Sequence, residues 1–311
     1  MVTSKNTVQH KNAIRRSKGD VVFDVINVIL ITLLLIITIF PIYYTIIVSF
    51  SDIEAVARGE VRLWPVGFSV ESYKYAFRET QIWTGYRNSI LYTVGSVVWG
   101  LFLTLPLAYA MSKKYLWAKS AFSWFFIITM YFSGGMIPCY LLRKELGLLN
   151  SPLVLVLGAA NTYNMVVART YFQNSIPNEL YESAHVDGAS EFRCFFSIAL
   201  PLAAPITAVL ALYFGVAQWN SYFNAMMYLS KSKLFPLQLV LKNIFDKTAA
   251  LSDPEYADAS AETMLDLVRQ AKIAEAMKYS FIFIGSAPLL IAYPFVQKFF
   301  MQGMMIGALK G

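Results

Sequence analysis

The chain is organised around the segment Glu179-Leu-Tyr-Glu-Ser-Ala-His-Val-Asp-Gly188, which runs on to Ile198-Ala-Leu-Pro201. Acidic residues and a histidine cluster in this segment, whereas the stretches on either side are long and almost uncharged. Because charges are costly in lipid, the segment is expected to lie in water or against another protein. Gly188 predicts a turn that ends one short helix, and Ser190 is expected to cap a second.

The rest of the chain is too apolar for a soluble domain, with 57% hydrophobic and 14% charged residues in 311. A bilayer core requires about 20 consecutive apolar residues per helix. Only helices and closed barrels satisfy their backbone polar groups in lipid, so the sequence predicts an all-α membrane protein with six transmembrane helices. The predicted parts are a basic tail at 1–20 and a transmembrane domain at 21–311, with spans at 22–50, 88–112, 120–142, 150–173, 198–228 and 279–300 and the charged segment at 177–197.

The distribution of basic residues predicts the topology. Several precede the first span, and Lys113, Lys114 and Lys119 follow the second without an acid among them. By the positive-inside rule the N-terminus is expected in the cytoplasm, and six spans return the C-terminus there. The charged segment between spans four and five is then cytoplasmic. Since the net charge of +7 is not gathered into one patch, nucleic-acid binding is not expected.

The sequence lacks the motifs of the common catalytic sites. It contains no Gly-x-x-x-x-Gly-Lys-Ser/Thr loop, no His-Glu-x-x-His and no Gly-x-Ser-x-Gly, and it has two histidines and two cysteines. We therefore expect neither an enzyme nor a metal site. The spans also lack the internal Asp, Glu and His of ion-coupled carriers, which disfavours that alternative. A membrane scaffold that transports nothing is a third possibility.

Polar amides and aromatic rings interrupt spans four and five. Amides in a membrane helix are expected to face protein or a water-filled cavity, and together with aromatic rings they suit a sugar. Trp219 and Tyr222 could instead form an interfacial belt. The candidate pathway residues are Asn161, Tyr163, Asn164, Gln218, Trp219, Asn220 and Tyr222. In span three, Gly134, Gly135 and Pro138 predict a bend, which serves either as a gate or for close helix packing.

The spacing Glu182-Ser-Ala184, three residues, Gly188, nine residues, Ile198-Ala-Leu-Pro201 resembles the "EAA" loop of permease subunits of binding-protein-dependent ABC importers. Ser183 stands where that family usually has alanine. In the family this loop forms the coupling helices that dock on the ATPase. The resemblance implies this coupling role for Glu179, Glu182, Ala184, Asp187, Gly188, Ala189, Leu200 and Pro201.

The resemblance extends over nearly the whole chain, including Glu71–Phe77 and Gln297–Gly311, and is strongest to the carbohydrate, maltose-permease-like branch. It implies a multi-pass subunit of a prokaryotic inner membrane that imports oligosaccharides derived from complex polysaccharides. The implied partners are a second permease subunit, two cytosolic ATPase subunits that bind ATP-Mg, and an extracytoplasmic sugar-binding protein. No cofactor is expected in this chain itself. The identity and charge of the sugar, and the role of the outer segment 231–278, do not follow from the sequence.

Overall fold

A computed structural model describes residues 17–250 and 261–308, so most of the predicted basic tail lies outside the described residues. Over these ranges the chain forms helices joined by turns, without a β-strand. The α-helices are α1 (Lys18–Ser49), α2 (Ile53–Ala57), α3 (Glu71–Arg78), α4 (Thr80–Ser112), α5 (Lys119–Tyr131), α6 (Met136–Glu145), α7 (Leu153–Val156), α8 (Thr162–Asn174), α9 (Glu179–Val186), α10 (Glu191–Cys194), α11 (Leu200–Leu202), α12 (Ala204–Trp219), α13 (Phe223–Tyr228), α14 (Leu237–Ala250) and α15 (Ala261–Ala308). Single turns of 3₁₀-helix lie at Leu157–Ala159 and Ser232–Leu234, and a π-helical turn lies at Phe195–Ala199. The all-α class is confirmed.

Three helical stretches in the described ranges are long and apolar enough to cross a membrane: α1, α4 and the Lys272–Pro294 part of α15. Two bent pairs raise this number to five. The fourth predicted span, 150–173, is interrupted, because α7 and a 3₁₀ turn are followed by a new helix, α8. Asn161 begins α8 by accepting a hydrogen bond from the Tyr163 backbone N–H at 2.7 Å. The count of six spans therefore stays a prediction.

The bent pairs occupy predicted spans three and five. In span three, α5 and α6 meet at 112°, and Gly135 at the break has φ +83°, which L side chains rarely adopt. The predicted bend there is confirmed, whereas its role as a gate stays a prediction. In span five, the segment Glu191–Leu202 meets α12 at 78°. Pro201 and Pro205 lie at the starts of α11 and α12, where proline is tolerated.

The sixth predicted span, 279–300, belongs to a longer element than expected. The second half of the outer segment and this span form one continuous helix, α15. The first described helix, α1, packs against α15, and α3 joins the same end of the molecule through Tyr73, whose hydroxyl donates to Ser49 Oγ at 2.8 Å.

Helix α4 is the centre of the packing. It packs most extensively against α12 and α8, and its first turns contact α14. Phe214 of α12 and Met165 of α8 are buried in the resulting core. Pro106 lies inside α4, less than two turns from its last residue. Because α4 touches elements at both ends of the molecule, it connects the two regions described next.

The surfaces of α1, α5 and the first two turns of α6 are apolar and open. None of the residues of α5 or α6 is buried, and α1 exposes Leu, Ile, Val and Phe side chains over most of its length. Such surfaces are stable in contact with lipid or with another membrane-embedded chain, not with water.

Candidate functional site

The charged segment folds as two short helices around a tight turn, as expected. Gly188 has φ +76°, a left-handed conformation that ends α9. The Ala189 N–H donates to the Ala184 carbonyl at 2.9 Å, closing the turn. Ser190 Oγ accepts from the Arg193 N–H at 3.4 Å and caps α10. The predicted helix–turn–helix is confirmed.

The eight residues of the expected coupling role divide into two groups by burial. The side chains that are half-buried pack against the core around α4, and they are Ala184, Ala189 and Leu200. The residues that face outward are Glu179, Glu182, Asp187, Gly188 and Pro201. Small or apolar groups thus anchor the segment, whereas carboxylates and a bare turn form its outer surface.

A cluster of six side chains, which we call the polar corner, fastens this segment to the end of α4. Its members are Tyr109, Lys113, Tyr115, Tyr181, His185 and Glu191. Glu191, the first residue of α10, accepts hydrogen bonds from the Tyr109 hydroxyl at 3.0 Å and from the Tyr115 hydroxyl. His185 Nε2 of α9 lies 3.0 Å from the same carboxylate. One carboxylate therefore joins α4, the loop after it, α9 and α10.

Charge and aromatic contacts reinforce the polar corner. Lys113 Nζ lies 3.0 Å from the centroid of the Tyr181 ring and 4.3 Å from that of Tyr109, in cation–π geometry. Burial lowers the pKa of the Lys113 ammonium, an effect that nearby Glu191 opposes. Burial raises the pKa of Tyr181 to about 12, so its phenol stays neutral.

The protonation of Glu191 follows from two opposed effects. Partial burial by itself raises the pKa of this carboxyl, but the hydrogen bonds from Tyr115 and Tyr109 and the charge of Lys113 lower it overall. The carboxylate is therefore ionised at neutral pH. The pKa of Tyr115 is raised, mainly by burial and also by its hydrogen bond to the Glu191 carboxylate. Each tyrosine consequently remains a donor and Glu191 remains the acceptor.

A second feature is a polar cavity of about 180 Å³ between α4, α8 and α12, which we call the amide cavity. Its polar lining consists of Ser96, Arg143, Asn161, Asn164, Tyr213, Gln218, Ser221 and Asn224. Asn164 is only 7% exposed, and Ser96, midway along α4, is only 1% exposed. Three of the predicted pathway residues, Asn161, Asn164 and Gln218, therefore share one cavity.

The other four predicted pathway residues lie elsewhere. Trp219 is 4% exposed and belongs to the core between α12 and α15, where its Nε1–H donates to the Gly285 carbonyl at 2.9 Å. Asn220 and Tyr222 line a separate pocket with Gln238. Tyr163 is exposed on α8. The packing of Trp219 is neither that of an interfacial belt nor that of the amide cavity.

Comparison with known proteins identifies the family. Residues 82–305 match the sequence profile of the binding-protein-dependent transport system inner membrane components. The chain belongs to this family. Three individual relatives are also similar to this chain. The protein LplC of Bacillus subtilis is 36% identical over 96% of this chain and 99% of its own length. The polygalacturonan/rhamnogalacturonan permease YtcP of the same organism is 32% identical, over 93% and 98%. The arabinooligosaccharide permease AraQ of Halalkalibacterium halodurans is 25% identical, over 88% and 92%.

A solved structure agrees with this membership. The crystal structure of a bacterial ABC transporter involved in the import of the acidic polysaccharide alginate contains a similar chain, with a TM-score of 0.80 and 32% identity. The match covers 93% of this chain and 100% of the other. The protein is accordingly a membrane component with the fold of an ABC-transporter permease.

Several residues of this inner membrane component were not predicted as site residues. Glu191 and the tyrosines around it lie far apart in sequence, so no local spacing indicates that they meet. Two apolar side chains beside the outward carboxylates, Val186 and Phe192, are 89% and 79% exposed. Their apolar character within a charged segment was the available signal in the sequence. Among the described side chains, no group of three His, Cys, Asp or Glu could hold a metal ion.

Proposed function

We propose that this chain is the transmembrane permease subunit of an ATP-driven importer that takes up an oligosaccharide delivered by an extracytoplasmic binding protein. It works with a second permease subunit and two cytosolic ATPase subunits, which bind ATP-Mg and carry out the hydrolysis. The segment at 177–197 faces the cytoplasm and acts as the coupling loop. This chain itself performs no catalytic step.

The polar corner carries the proposal. A surface that receives force from a partner must be rigid and must be joined to the spans, and the Glu191 carboxylate joins α9 and α10 to the end of α4. The outward residues then offer the ATPase an apolar contact at Val186 and Phe192 with the exposed carboxylates of Glu182 and Asp187 at its edge. Apolar anchors surrounded by a polar rim are typical of strong protein–protein contacts.

The amide cavity supplies the sugar side of the proposal. Its amides and hydroxyls can both donate and accept, as sugar hydroxyls require. The volume of about 180 Å³ is smaller than that of a typical small-molecule site, which is roughly 300–1,000 Å³. We infer that this chain forms one wall of the pathway and that the second permease forms the other. The names of the relatives YtcP and AraQ, which are permeases for polygalacturonan or rhamnogalacturonan and for arabinooligosaccharides, support a carbohydrate substrate.

The test is uptake by the complete complex reconstituted in liposomes with its binding protein. We expect uptake of a labelled oligosaccharide that requires ATP and continues after an uncoupler has collapsed the ion gradients. Uptake that stops with the uncoupler while ATP remains would identify the alternative, an ion-coupled secondary carrier. A deletion of this chain that leaves cellular uptake unchanged would instead indicate a scaffold.

A further inference from the structure

Arg143 is the one cationic side chain in the described lining of the amide cavity, and that lining contains no aspartate or glutamate. Among the side chains that the structure describes, no carboxylate lies within ion-pair distance of its guanidinium. Lys242, which lines the separate pocket with Gln238, is different, because Asp246 pairs with it one helical turn away. The amide cavity therefore has a positive charge without a described counter-charge.

The guanidinium is held in place by neutral groups. Its Cζ lies 4.3 Å from the centroid of the Tyr228 ring, and Tyr228 is buried and stacked on Tyr140. The backbone at Gly158 also lies close to the guanidinium, since a Cβ added there would be 3.3 Å from Arg143 Nη2. The Asn150 N–H donates to the Tyr228 carbonyl at 2.9 Å and fixes the platform. Stacking orients an arginine without neutralising it, so its N–H groups remain able to bind an anion.

A buried hydroxyl-bearing residue also borders this cavity. The Ser96 hydroxyl is buried and has no hydrogen-bond partner among the described atoms. Thr93 Oγ1, Trp99 Nε1 and Tyr181 Oη are buried without a partner in the same way, and none of these three residues lines the cavity. Ser96 and Arg143 come from different helices, α4 and α6, and line the same cavity. The lining thus combines one guanidinium with neutral amides and hydroxyl-bearing residues, a set that suits a ligand with both anionic and hydroxyl groups.

We propose that the amide cavity binds an acidic sugar unit, a uronate, and that Arg143 binds its carboxylate. The planar guanidinium matches a carboxylate with two parallel N–H···O bonds, a geometry that lysine cannot reproduce. The amides of Asn161, Asn164 and Gln218 then bond the sugar hydroxyls. The inference rests on the proposed function and adds the substrate class to it. The substrates named for YtcP and for the alginate transporter are consistent with an acidic sugar, whereas AraQ shows that the family is not restricted to one.

The experiment measures uptake by the reconstituted complex of two sets of probes. The first set contains oligogalacturonate and oligomannuronate, and the second contains their neutral methyl esters and malto-oligosaccharides. The variants are Arg143→Gln and Arg143→Lys, with Lys144→Gln as the matched control, because Lys144 is the adjacent exposed residue and does not line the cavity. Assembly of the complex and basal ATP hydrolysis are measured for each variant.

We expect wild type to take up a uronate oligomer. In Arg143→Gln the rate of that uptake should fall at least tenfold while assembly of the complex is unchanged. Arg143→Lys should recover part of it, and Lys144→Gln should equal wild type. If Arg143→Gln lowers the uptake of neutral and acidic probes alike, or reduces assembly, then Arg143 has a structural role and the assignment is overturned. Wild-type uptake of neutral probes alone would overturn the acidic substrate class but leave the importer intact. Uptake of uronates by Arg143→Gln equal to that of wild type would overturn the role of Arg143. If no probe enters in an ATP-dependent way, the proposed function itself fails.

Discussion

The turn at Gly188 allows the proposed docking role of segment 177–197 to be tested separately from its folding. A Cβ added to this glycine would have no atom within 4 Å, so only the backbone φ of +76° opposes substitution. A left-handed conformation costs an L-residue about 1–2 kcal/mol, and the cost is lower for asparagine than for alanine. Gly188→Ala and Gly188→Asn should therefore fold and assemble with small losses. Gly188→Trp should also insert, but its ring would occupy the space where we place the ATPase.

The assay is uptake per ATP hydrolysed in proteoliposomes, with Gly59→Trp as the control. Gly59 has φ +67° and equally open surroundings, so it reproduces the backbone strain at the opposite end of the molecule. In Gly188→Trp we expect sugar uptake to fall at least tenfold, while ATP hydrolysis no longer depends on the loaded binding protein. In Gly59→Trp we expect uptake per ATP hydrolysed to equal that of wild type. Normal uptake by Gly188→Trp would refute the docking role, and a matching loss in Gly59→Trp would assign the effect to strain.

Three further outcomes follow from the contacts. Glu191→Gln keeps the shape of the side chain but removes the charge to which two tyrosines donate. Since Glu191 is 44% exposed, we expect a loss of about 1 kcal/mol of stability and a several-fold fall in coupled uptake. Glu182→Gln, at the proposed ATPase contact, should lower uptake without lowering thermal stability, and equal stability of the two variants would contradict the role of Glu191. Gln218→Ala should reduce sugar uptake without reducing assembly, and equal uptake would remove this residue from the pathway. Trp219→Ala leaves a cavity in the core and should lower the free energy of unfolding by on the order of 3 kcal/mol, measured as a lower melting temperature of the purified complex. Tyr222→Ala, at an exposed side chain, should change that temperature little.

The composition and the charged segment were sufficient to predict the class of fold and the local structure at 177–197. Gly188 and Ser190 act through backbone neighbours, so their roles follow from sequence spacing alone. The breaks inside predicted spans four and five were not predicted, because hydropathy averages over a window and does not distinguish one helix from two short ones. Asn161 was noted as a polar residue, but its action as a helix cap depends on backbone geometry.

Long-range contacts explain the remaining differences. Glu191 and Tyr109 are separated by 82 residues, and Arg143 reaches Tyr228 from another helix, so neither contact has a signature in the sequence. Trp219 was grouped with Gln218 because the two are adjacent in the chain. On a helix, however, adjacent side chains point about 100° apart, and one faces the core while the other faces the amide cavity.

Pro106 divides α4 between the polar corner and the amide cavity, and this position has a mechanical consequence. Proline cannot supply the amide hydrogen that would bind the carbonyl one turn earlier, so the helix bends more easily there than elsewhere. If the charged segment receives force as proposed, a pull on Glu191 would act first on the last turns of α4. Ser96 lies on the other side of Pro106, about 15 Å along the helix at roughly 1.5 Å per residue. Under the proposed coupling, small movements at the polar corner would be taken up by bending at Pro106, and only larger ones would reach the amide cavity.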